Sequence, residues 1–288
     1  MPHLFCFGLG FSAQALIRRL RPAGWKISGT NRDGTELEGV TVWRFDGGTP
    51  VRAFAFEGVT HLLLSVPPGA DGDPVWKHHH AMLAQRKFDW VGYLSTTGVY
   101  GDRGGDWVDE ESPLAPSTER GRRRLEAERA WLDLLDAQLF RLAGIYGPGR
   151  NQLVSMLDGT ARRIVKPGQV FSRIHVDDIA GVLAASIAAP NPGRAYNVCD
   201  DEPAPPQDVV AFAAALLGME PPPEIAFADA DLSPMARSFY AESKRVSNRR
   251  IKRELGYRWL YPTYREGLRA LIPTLPPHLR EARATATR

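Results

Sequence analysis

The sequence predicts an α/β protein built on a doubly wound parallel sheet, and three observations support this fold class. Short apolar runs alternate with amphipathic stretches over most of residues 1–200. The run 61–66 is almost continuously apolar, as expected of a parallel strand that is buried on both faces. A glycine turn at 8–10 separates the first apolar run from the first amphipathic stretch. Because parallel strands need crossover connections, this alternation favours strand–helix–strand units.

The individual elements follow from periodicity. The predicted strands are His3–Phe7, Trp25–Gly29, Thr41–Phe45, His61–Val66, Asp89–Ser95, Gln138–Ala143 and Ala195–Val198. The predicted helices are Phe11–Leu20, Glu119–Asp136, Asp177–Ala189 and Gln207–Leu217. After Gly147, loops rich in proline and glycine separate shorter elements, which indicates a second, smaller domain. The segment beyond Pro276 lacks apolar periodicity and is expected to be a frayed tail.

Composition excludes several classes of function. The chain has 43% hydrophobic residues, 24% charged residues and a net charge of +3, which is typical of a globular protein. So small a charge, spread along the chain, predicts neither a nucleic-acid partner nor a membrane partner. Cys6 and Cys199 lie in apolar runs and are expected to be buried, reduced thiols. With no apolar run long enough for a membrane helix and no secretion signal, we expect a cytoplasmic protein.

The first strand–helix unit carries a pattern for binding a dinucleotide. The segment CFGLGFSAQAL places Gly8, Gly10 and Ala13 in a G-x-G-x-x-A spacing, with Phe11 and Ser12 inside the turn. The first glycine permits the tight turn, the second lets a pyrophosphate approach the backbone, and the small third residue allows helix and strand to pack closely. The helix N-terminus receives the negative charge. The sequence therefore predicts a Rossmann-type site with a nicotinamide dinucleotide as cofactor.

The end of the second strand favours NADP over NAD. The segment SGTNRD offers Thr30 and Asn31 where NAD binders place an acidic residue, and Arg32 follows. An arginine suits a 2′-phosphate because its fork of donors pairs with the oxyanion. NAD is the alternative, since a shifted loop would bring Asp33 to the ribose. Asp46 is either an adenine contact or a solvated turn residue.

Several segments resemble the extended branch of the short-chain dehydrogenase/reductase superfamily, the sugar-nucleotide epimerases and dehydratases. These are GLGFSA, LSTTGVYG, LAGIYGPGRN, RIHVDDIA, AYNVCDDEP and RRIKRELGYRWLYPTYREGL, in the order of the family. The resemblance implies a Rossmann domain of residues 1–147 and 174–198, and a small substrate domain of residues 148–173 and 199–275. It also implies cofactor contacts from Ser65, Tyr146 and Gly147. A homodimer is an open expectation, because the helix that would form its interface is unusually charged here.

The family's Tyr-x-x-x-Lys pair is absent. Thr96 matches its serine or threonine, but Arg120 and Arg124 stand at the tyrosine and lysine positions. Arginine does not exchange its proton near neutral pH. Tyr100 is an alternative acid, or else a packed tyrosine. The later SFYAESK carries a tyrosine and a lysine at the right spacing, yet it is expected to lie far from the site.

Other polar residues give weaker signals. Arg120 and Arg124 lie one helical turn apart, so they form either an anion site or part of a solvated face. Arg150, Asn151 and Arg173 are candidates for contacting a substrate phosphate. Residues 78–80 are three histidines, which cannot converge on one ion from a helix, so we predict a surface run and no metal site. His175 and Asp178 are expected to be structural.

Together these patterns predict an NADP(H)-binding oxidoreductase or epimerase with an atypical active site. Its substrate would be a small molecule, either a nucleotide sugar or another anion. The alternative is a catalytically inactive dinucleotide sensor, which would explain the missing pair directly.

Overall fold

A computed structural model of the protein describes residues 1–276. The strands of this range are β1 His3–Phe7, β2 Lys26–Asn31, β3 Thr41–Arg44, β4 His61–Leu64, β5 Trp90–Thr96, β6 Trp107–Val108, β7 Gln138–Leu142, β8 Gly144–Tyr146, β9 Arg163–Val165, β10 Arg173–His175, β11 Ala195–Val198, β12 Glu224–Ala226 and β13 Arg245–Val246. The predicted strands are all confirmed, with shifts of one or two residues at their ends. Apart from Pro276, the predicted frayed tail lies outside the described residues.

The helices cover the sheet and build the smaller domain. They are α1 Phe11–Leu20, α2 Pro74–Leu83, α3 Glu119–Leu135, α4 Gln152–Leu157, α5 Val176–Ala188, α6 Pro206–Leu217, α7 Pro234–Phe239, α8 Arg249–Glu254 and α9 Tyr264–Leu271. Short 3₁₀ turns occur at Arg21–Ala23, Ala53–Phe56, Thr97–Tyr100 and Ile272–Thr274. The four predicted helices are confirmed to within one residue at either end.

The central sheet has seven strands in the order β11-β7-β5-β4-β1-β2-β3, and all its pairs are parallel. The strand order reverses between β1 and β4, which is the topological switch point of a doubly wound sheet. Ligands of such sheets bind in the crevice outside the carboxyl ends of the strands, next to this point. The predicted α/β class with a Rossmann-type sheet is confirmed.

Residues of β1 alternate between two hydrophobic layers. Leu4 and Cys6 belong to the layer covered by α1 and α5, while Phe5 and Phe7 belong to the layer covered by α2 and α3. All four side chains are fully buried, because a parallel strand in the middle of a sheet has no solvent face. Cys6 is a free thiol within this core, as predicted.

A third hydrophobic cluster lies outside the two layers of the sheet, and most of its residues belong to the predicted smaller domain. Tyr146 and residues of α4, α6 and α9 form it, and it includes Leu153, Val209 and Leu268. Between α7 and α9 the chain returns to the sheet, where Ile251 of α8 packs in the layer of α1 and α5. Asp178 ties this return in place, because its carboxylate accepts hydrogen bonds from the Tyr257 hydroxyl and from two backbone N–H groups. Its predicted structural role agrees with these contacts.

His79 corrects the prediction of a surface histidine run. Its side chain is buried between the rings of Phe7 and Phe45, and its Nε2 accepts the Val51 N–H at 2.9 Å. His78 and His80 hydrogen-bond to the carbonyls of Gly47 and Trp76 instead. The three rings are thus used separately, and the described residues contain no group of three or more side chains able to hold a metal ion.

We expect His79 to make the fold sensitive to acid. Burial lowers its pKa from 6.5 to about 4, so the folded protein holds the neutral ring. Between these values the unfolded chain binds the extra proton, so stability is complete above pH 6.5 and falls as the pH drops towards 4. The loss should be about 3 kcal/mol, and urea unfolding as a function of pH measures it. His79→Gln should flatten this slope, whereas His80→Gln should keep it; equal slopes in all three proteins would contradict the assignment.

Candidate functional site

The turn after β1 is shaped by two hydroxyl groups. Gly8 has φ +91°, and a Cβ built there would lie 2.8 Å from Ser65 Oγ. The Gly8 N–H donates to Thr30 Oγ1 at 3.0 Å, and Ser65 Oγ donates to the Gly8 carbonyl at 2.6 Å. Thr30 is 1% exposed. The Thr30 side chain therefore supports the turn from inside the protein, and Ser65 binds the carbonyl of Gly8; a direct cofactor contact of Thr30 stays a prediction.

Gly10 leaves this turn open towards solvent. It is exposed, and a Cβ built on it would have no described atom within 4 Å. It is the N-cap of α1 and provides no side-chain cap. The backbone N–H groups of Phe11, Ser12 and Ala13 find no acceptor within residues 1–276. These N–H groups and the positive end of the helix dipole fit the pyrophosphate of a dinucleotide.

The helix packs closely behind the turn, because Ala13 is small and buried. On the other side, a Cβ built on Gly147 would lie 2.7 Å from Val176 Cγ1 and 3.0 Å from the Phe11 ring. Phe11 therefore packs on Gly147, and this contact brings the loop after β8 against the glycine turn. The structure thus places the predicted Gly8, Gly10, Ala13 and Gly147 together.

The end of β2 carries an exposed positive charge. Asn31 is the last residue of β2, and its side chain closes a turn by accepting the Gly34 N–H and donating to the Thr35 carbonyl. Arg32 follows and is exposed. Asn31 pairs in register with Arg44, whose guanidinium lies 3.2 Å from Asp46. The sequence reasoning missed Arg44, since only the pairing of β2 with β3 brings it beside this position.

Asp46 is exposed and engaged locally. Its carboxylate accepts the Gly48 N–H at 3.0 Å and pairs with Arg44. The first of these bonds, aided by Arg44, lowers the pKa of Asp46, so it is ionised near neutral pH. These contacts describe a turn aspartate beside the site, which is one of the two alternatives given by the sequence.

The end of β5 presents Thr96 and two arginines. Thr96 is half-buried, and its Oγ1 accepts the Gly98 N–H at 3.2 Å. Arg124 donates to the Leu94 carbonyl at 2.7 Å and lies 3.3 Å from the Tyr93 hydroxyl. Arg120 is exposed and stacks over the ring of Phe239, 4.8 Å from its centroid. The two arginines therefore engage different partners, although they lie one turn apart.

Tyr100 is unavailable as an acid. It is fully buried, its hydroxyl donates to Asn197 Oδ1 at 2.7 Å, and it accepts from Arg141 Nη1 at 2.9 Å. Burial raises its pKa to about 12. The packed alternative is correct, with side chains rather than the backbone as its partners. The idea that Tyr100 replaces the missing tyrosine is wrong, because no face of it reaches the cleft.

Two further candidates after β8 are structural. Tyr146 belongs to the core of the smaller domain, where it packs against Gly267 and, edge to face, against His175. Asn151 is 7% exposed; it caps α4 by accepting the Val154 N–H and donates to the Gly147 carbonyl. Both side chains are thus engaged inside the protein, and the cofactor contact of Tyr146 and the substrate contact of Asn151 stay predictions. Arg150 is exposed beside them.

Arg173 is a buried cation next to the cleft. Its guanidinium donates to the carbonyls of Phe171 and Ala204 at 2.8 and 3.0 Å, and burial lowers its pKa. Its strand β10 pairs with β8, and its Cγ lies 3.9 Å from a Cβ built on Gly144, which is exposed. Asp200 is buried nearby, and burial raises its pKa well above the usual range. Arg173 thus keeps a positive charge where β7 leads into β8.

The segment 239–244 lies over this region, contrary to prediction. Lys244 Nζ donates to the Gly101 carbonyl at 2.7 Å, and Ser243 N–H donates to Asp102 Oδ1 at 2.7 Å. Glu242 accepts the Ser117 hydroxyl just before α3. The expectation that SFYAESK lies far from the site is wrong. No local sequence signal indicates this contact, because it joins residues more than a hundred positions apart.

Comparisons with known proteins support a common fold. No family model matches the chain. Protein YeeZ of Escherichia coli K12 is 28% identical over 289 residues, which cover 88% of this chain and 94% of YeeZ. A 3-diazoavenalumate denitrifying reductase of Streptomyces is 30% identical over 175 residues, which cover 56% of this chain and 55% of the reductase.

Solved structures extend this similarity. A functionally unknown conserved protein from Silicibacter pomeroyi is 54% identical, with a TM-score of 0.89 over 94% of this chain and 98% of that one. A putative NAD-dependent epimerase/dehydratase from Methylobacillus flagellatus is 26% identical, with a TM-score of 0.71 over 94% and 97%. A human epimerase family protein solved with NADPH is 18% identical and shares the fold, with a TM-score of 0.74 over 96% and 100%.

Across residues 1–276, no helix combines the length and the apolar character needed to span a bilayer.

Proposed function

Because the chain belongs to the extended short-chain dehydrogenase/reductase superfamily, we propose that it binds NADP(H) and transfers a hydride to or from a small anionic substrate. The observation that carries this proposal is the open glycine turn. Gly10 has free space above its α carbon, and three unpaired N–H groups of α1 follow it. A pyrophosphate held there places the rest of the cofactor along the carboxyl edge of the sheet.

A preference for NADP(H) is supported by the charges after β2. Arg32 is exposed, and Arg44 lies beside Asn31 in the neighbouring strand. Two guanidinium groups at this point favour a 2′-phosphate, since each offers several donors to its oxygens.

Titration calorimetry tests the cofactor. We expect NADPH and NADP⁺ to bind more tightly than NADH and NAD⁺, and Arg32→Ala to reduce this preference by roughly 10-fold or more, as expected for a lost charge-assisted contact. Arg52→Ala is the matched control, because Arg52 is also exposed but follows β3. The preference should be unchanged in this control. Absence of any dinucleotide binding would overturn the proposed function.

An anionic substrate is supported by Arg173 and Arg120. Arg173 donates to two carbonyls, and the charge that acts on it most strongly is the buried carboxyl group of Asp200. An anionic group of a ligand would further offset the cost of burying this cation. Arg120 adds an exposed charge on α3. A carboxylate or phosphate group of the substrate would bind between these two guanidinium groups. The similarity to the 3-diazoavenalumate denitrifying reductase of Streptomyces supports redox chemistry.

The residues around the cleft have different roles in the proposed hydride transfer. Bound NADPH supplies the hydride. Thr96 offers a hydroxyl to a substrate oxygen, and Arg124 places a positive charge below the end of β5 through its bond to the Leu94 carbonyl. Neither arginine at the family's Tyr/Lys positions exchanges a proton near neutral pH. Dinucleotide binding without turnover of any carbonyl substrate would instead support the sensor alternative.

A further inference from the structure

The site as described has no group that can donate a proton. Thr96 is too weak an acid, Tyr100 is sealed in the core, and the arginines keep their protons. In the reduction of a carbonyl group the carbon takes a hydride and the oxygen takes a proton. A hydride transfer at this site therefore needs a further residue as proton donor, and the segment 239–244 carries a tyrosine.

This segment is fixed to the loop that follows β5. The Ser243 carbonyl accepts the N–H groups of Arg103 and Gly105, each at 3.0 Å. Together with the bonds of Lys244 to the Gly101 carbonyl and of Ser243 to the Asp102 side chain, these contacts hold the segment at three backbone groups and one side chain of the loop. Residues 101–105 directly follow the 3₁₀ turn at the carboxyl end of β5. The segment consequently lies at the edge of the sheet where ligands bind.

The same segment contacts the helix that lacks the catalytic tyrosine. Phe239 stacks on Arg120, which stands at the family's tyrosine position, and Glu242 accepts the hydroxyl of Ser117, just before α3. Tyr240 lies between these two contacts. Its backbone carbonyl accepts from Lys166, which anchors it to the smaller domain as well.

Tyr240 has a free hydroxyl beside a cation. The side chain is half-buried, with its ring stacked on Phe227 at 5.2 Å and edge to face with Phe171 at 5.5 Å. Its hydroxyl makes no hydrogen bond within residues 1–276 and is not sealed from solvent. Phe171 also contributes the carbonyl to which Arg173 donates, so the phenol and the guanidinium share one wall of the cleft.

We propose that Tyr240, contributed by the C-terminal segment, is the proton donor of this site, with Arg173 beside it holding the anionic substrate. This inference rests on the proposed function. In the step, the O–H bond of Tyr240 breaks as the substrate oxygen gains its proton and the substrate carbon gains the hydride; water then returns a proton to the phenolate. Burial raises the pKa of Tyr240 while the charge of Arg173 opposes that rise, so the group remains protonated and able to donate near neutral pH.

Fluorine NMR of protein labelled with 3-fluorotyrosine tests this placement. Tyr240→Phe identifies the resonance, and the resonance of Tyr257, which donates to Asp178 at the core of the return segment, is the reference. The two probes are NADP⁺, which carries the nicotinamide, and adenosine 2′,5′-bisphosphate, which does not. We expect the Tyr240 resonance to shift with NADP⁺ but not with adenosine 2′,5′-bisphosphate. NADP⁺ should also lower the apparent pKa of the phenol, because a cationic nicotinamide ring nearby stabilises the phenolate.

The outcomes separate the two proposals. If calorimetry detects no binding of NADP⁺, the proposed function fails. If NADP⁺ binds but leaves Tyr240 unmoved, or if both probes move it equally, the assignment of Tyr240 is wrong while the cofactor site stands. Arg173→Met should raise the apparent pKa of Tyr240 in the folded protein. An unchanged pKa would show that the charge of Arg173 does not act on the Tyr240 phenol. Circular dichroism of each variant confirms that it is folded.

Discussion

Replacing Gly10 with alanine is expected to weaken dinucleotide binding strongly while leaving the fold intact. The backbone at Gly10 has φ −83°, which any residue adopts, and no described atom would lie within 4 Å of the new Cβ. The folded chain therefore accommodates the methyl group without strain. A pyrophosphate must approach this same point of the backbone, and the methyl group would occupy the space that it needs.

The expected loss of NADPH affinity is roughly 100-fold or more, or about 3 kcal/mol. Calorimetric titration measures it, and thermal unfolding without ligand provides the control, since the melting temperature should match that of the unmodified protein. By contrast, Gly8→Ala should lower the melting temperature as well, because Gly8 has φ +91° and a Cβ there would lie 2.8 Å from Ser65 Oγ. Unimpaired NADPH binding by Gly10→Ala would show that the cofactor does not use this turn.

The fold could be predicted because its signals are local. Most strands of the sheet are apolar runs in the sequence, and the turn between β1 and α1 needs glycine at position 8 because its φ is positive and its surroundings are crowded. Arg32 also follows from local order, because it comes directly after the last residue of β2. These features depend on a few consecutive residues, so they can be predicted without knowing the contacts between distant parts of the chain.

The roles of single polar residues could not be predicted in the same way. Thr30, Tyr146 and Asn151 lie next to the cleft in sequence, but their side chains point into the protein and satisfy backbone or core contacts. Orientation at the end of a strand depends on the register of its neighbours, which the sequence does not show. His79 is similar: its polar neighbours suggest a surface, whereas the aromatic pocket that holds it comes from β1 and the residue after β3.

The contact between the segment 239–244 and the loop after β5 shows the same limit at long range. The bond between Lys244 and Gly101 joins residues 143 positions apart. Sequence order assigned the tyrosine and lysine of SFYAESK to another domain, and their spacing carried no information about where that domain would lie. The contacts that hold the segment are mostly to backbone atoms of residues 101–105. Backbone hydrogen bonds place little constraint on the side chains at those positions, so the sequence does not indicate them.

The largest loss of stability is expected from Glu128→Ala. The Glu128 carboxylate pairs with both Nε and Nη2 of Arg141, at 3.1 and 2.9 Å, and the two side chains are 2% and 5% exposed. Arg141 also donates to Tyr100, which donates to Asn197, so one network joins α3, β7, the turn after β5 and β11. Removing the carboxylate leaves the guanidinium buried and uncompensated, which typically costs about 3–5 kcal/mol.

Chemical denaturation of Glu128→Ala measures this loss, and Glu119→Ala is its matched control. Glu119 lies on the same helix and pairs with Arg122 and Arg123, yet it is exposed, so its removal should change the free energy of unfolding far less. Glu128→Gln should fall between the two, because an amide oxygen still accepts from Arg141 but carries no charge. Since the network lies beneath the sheet edge and not in the cleft, the folded fraction of each variant should bind NADPH as the unmodified protein does. Equal losses in Glu128→Ala and Glu119→Ala would mean that the buried pair contributes no more than a surface pair, and that packing alone holds α3 against β7.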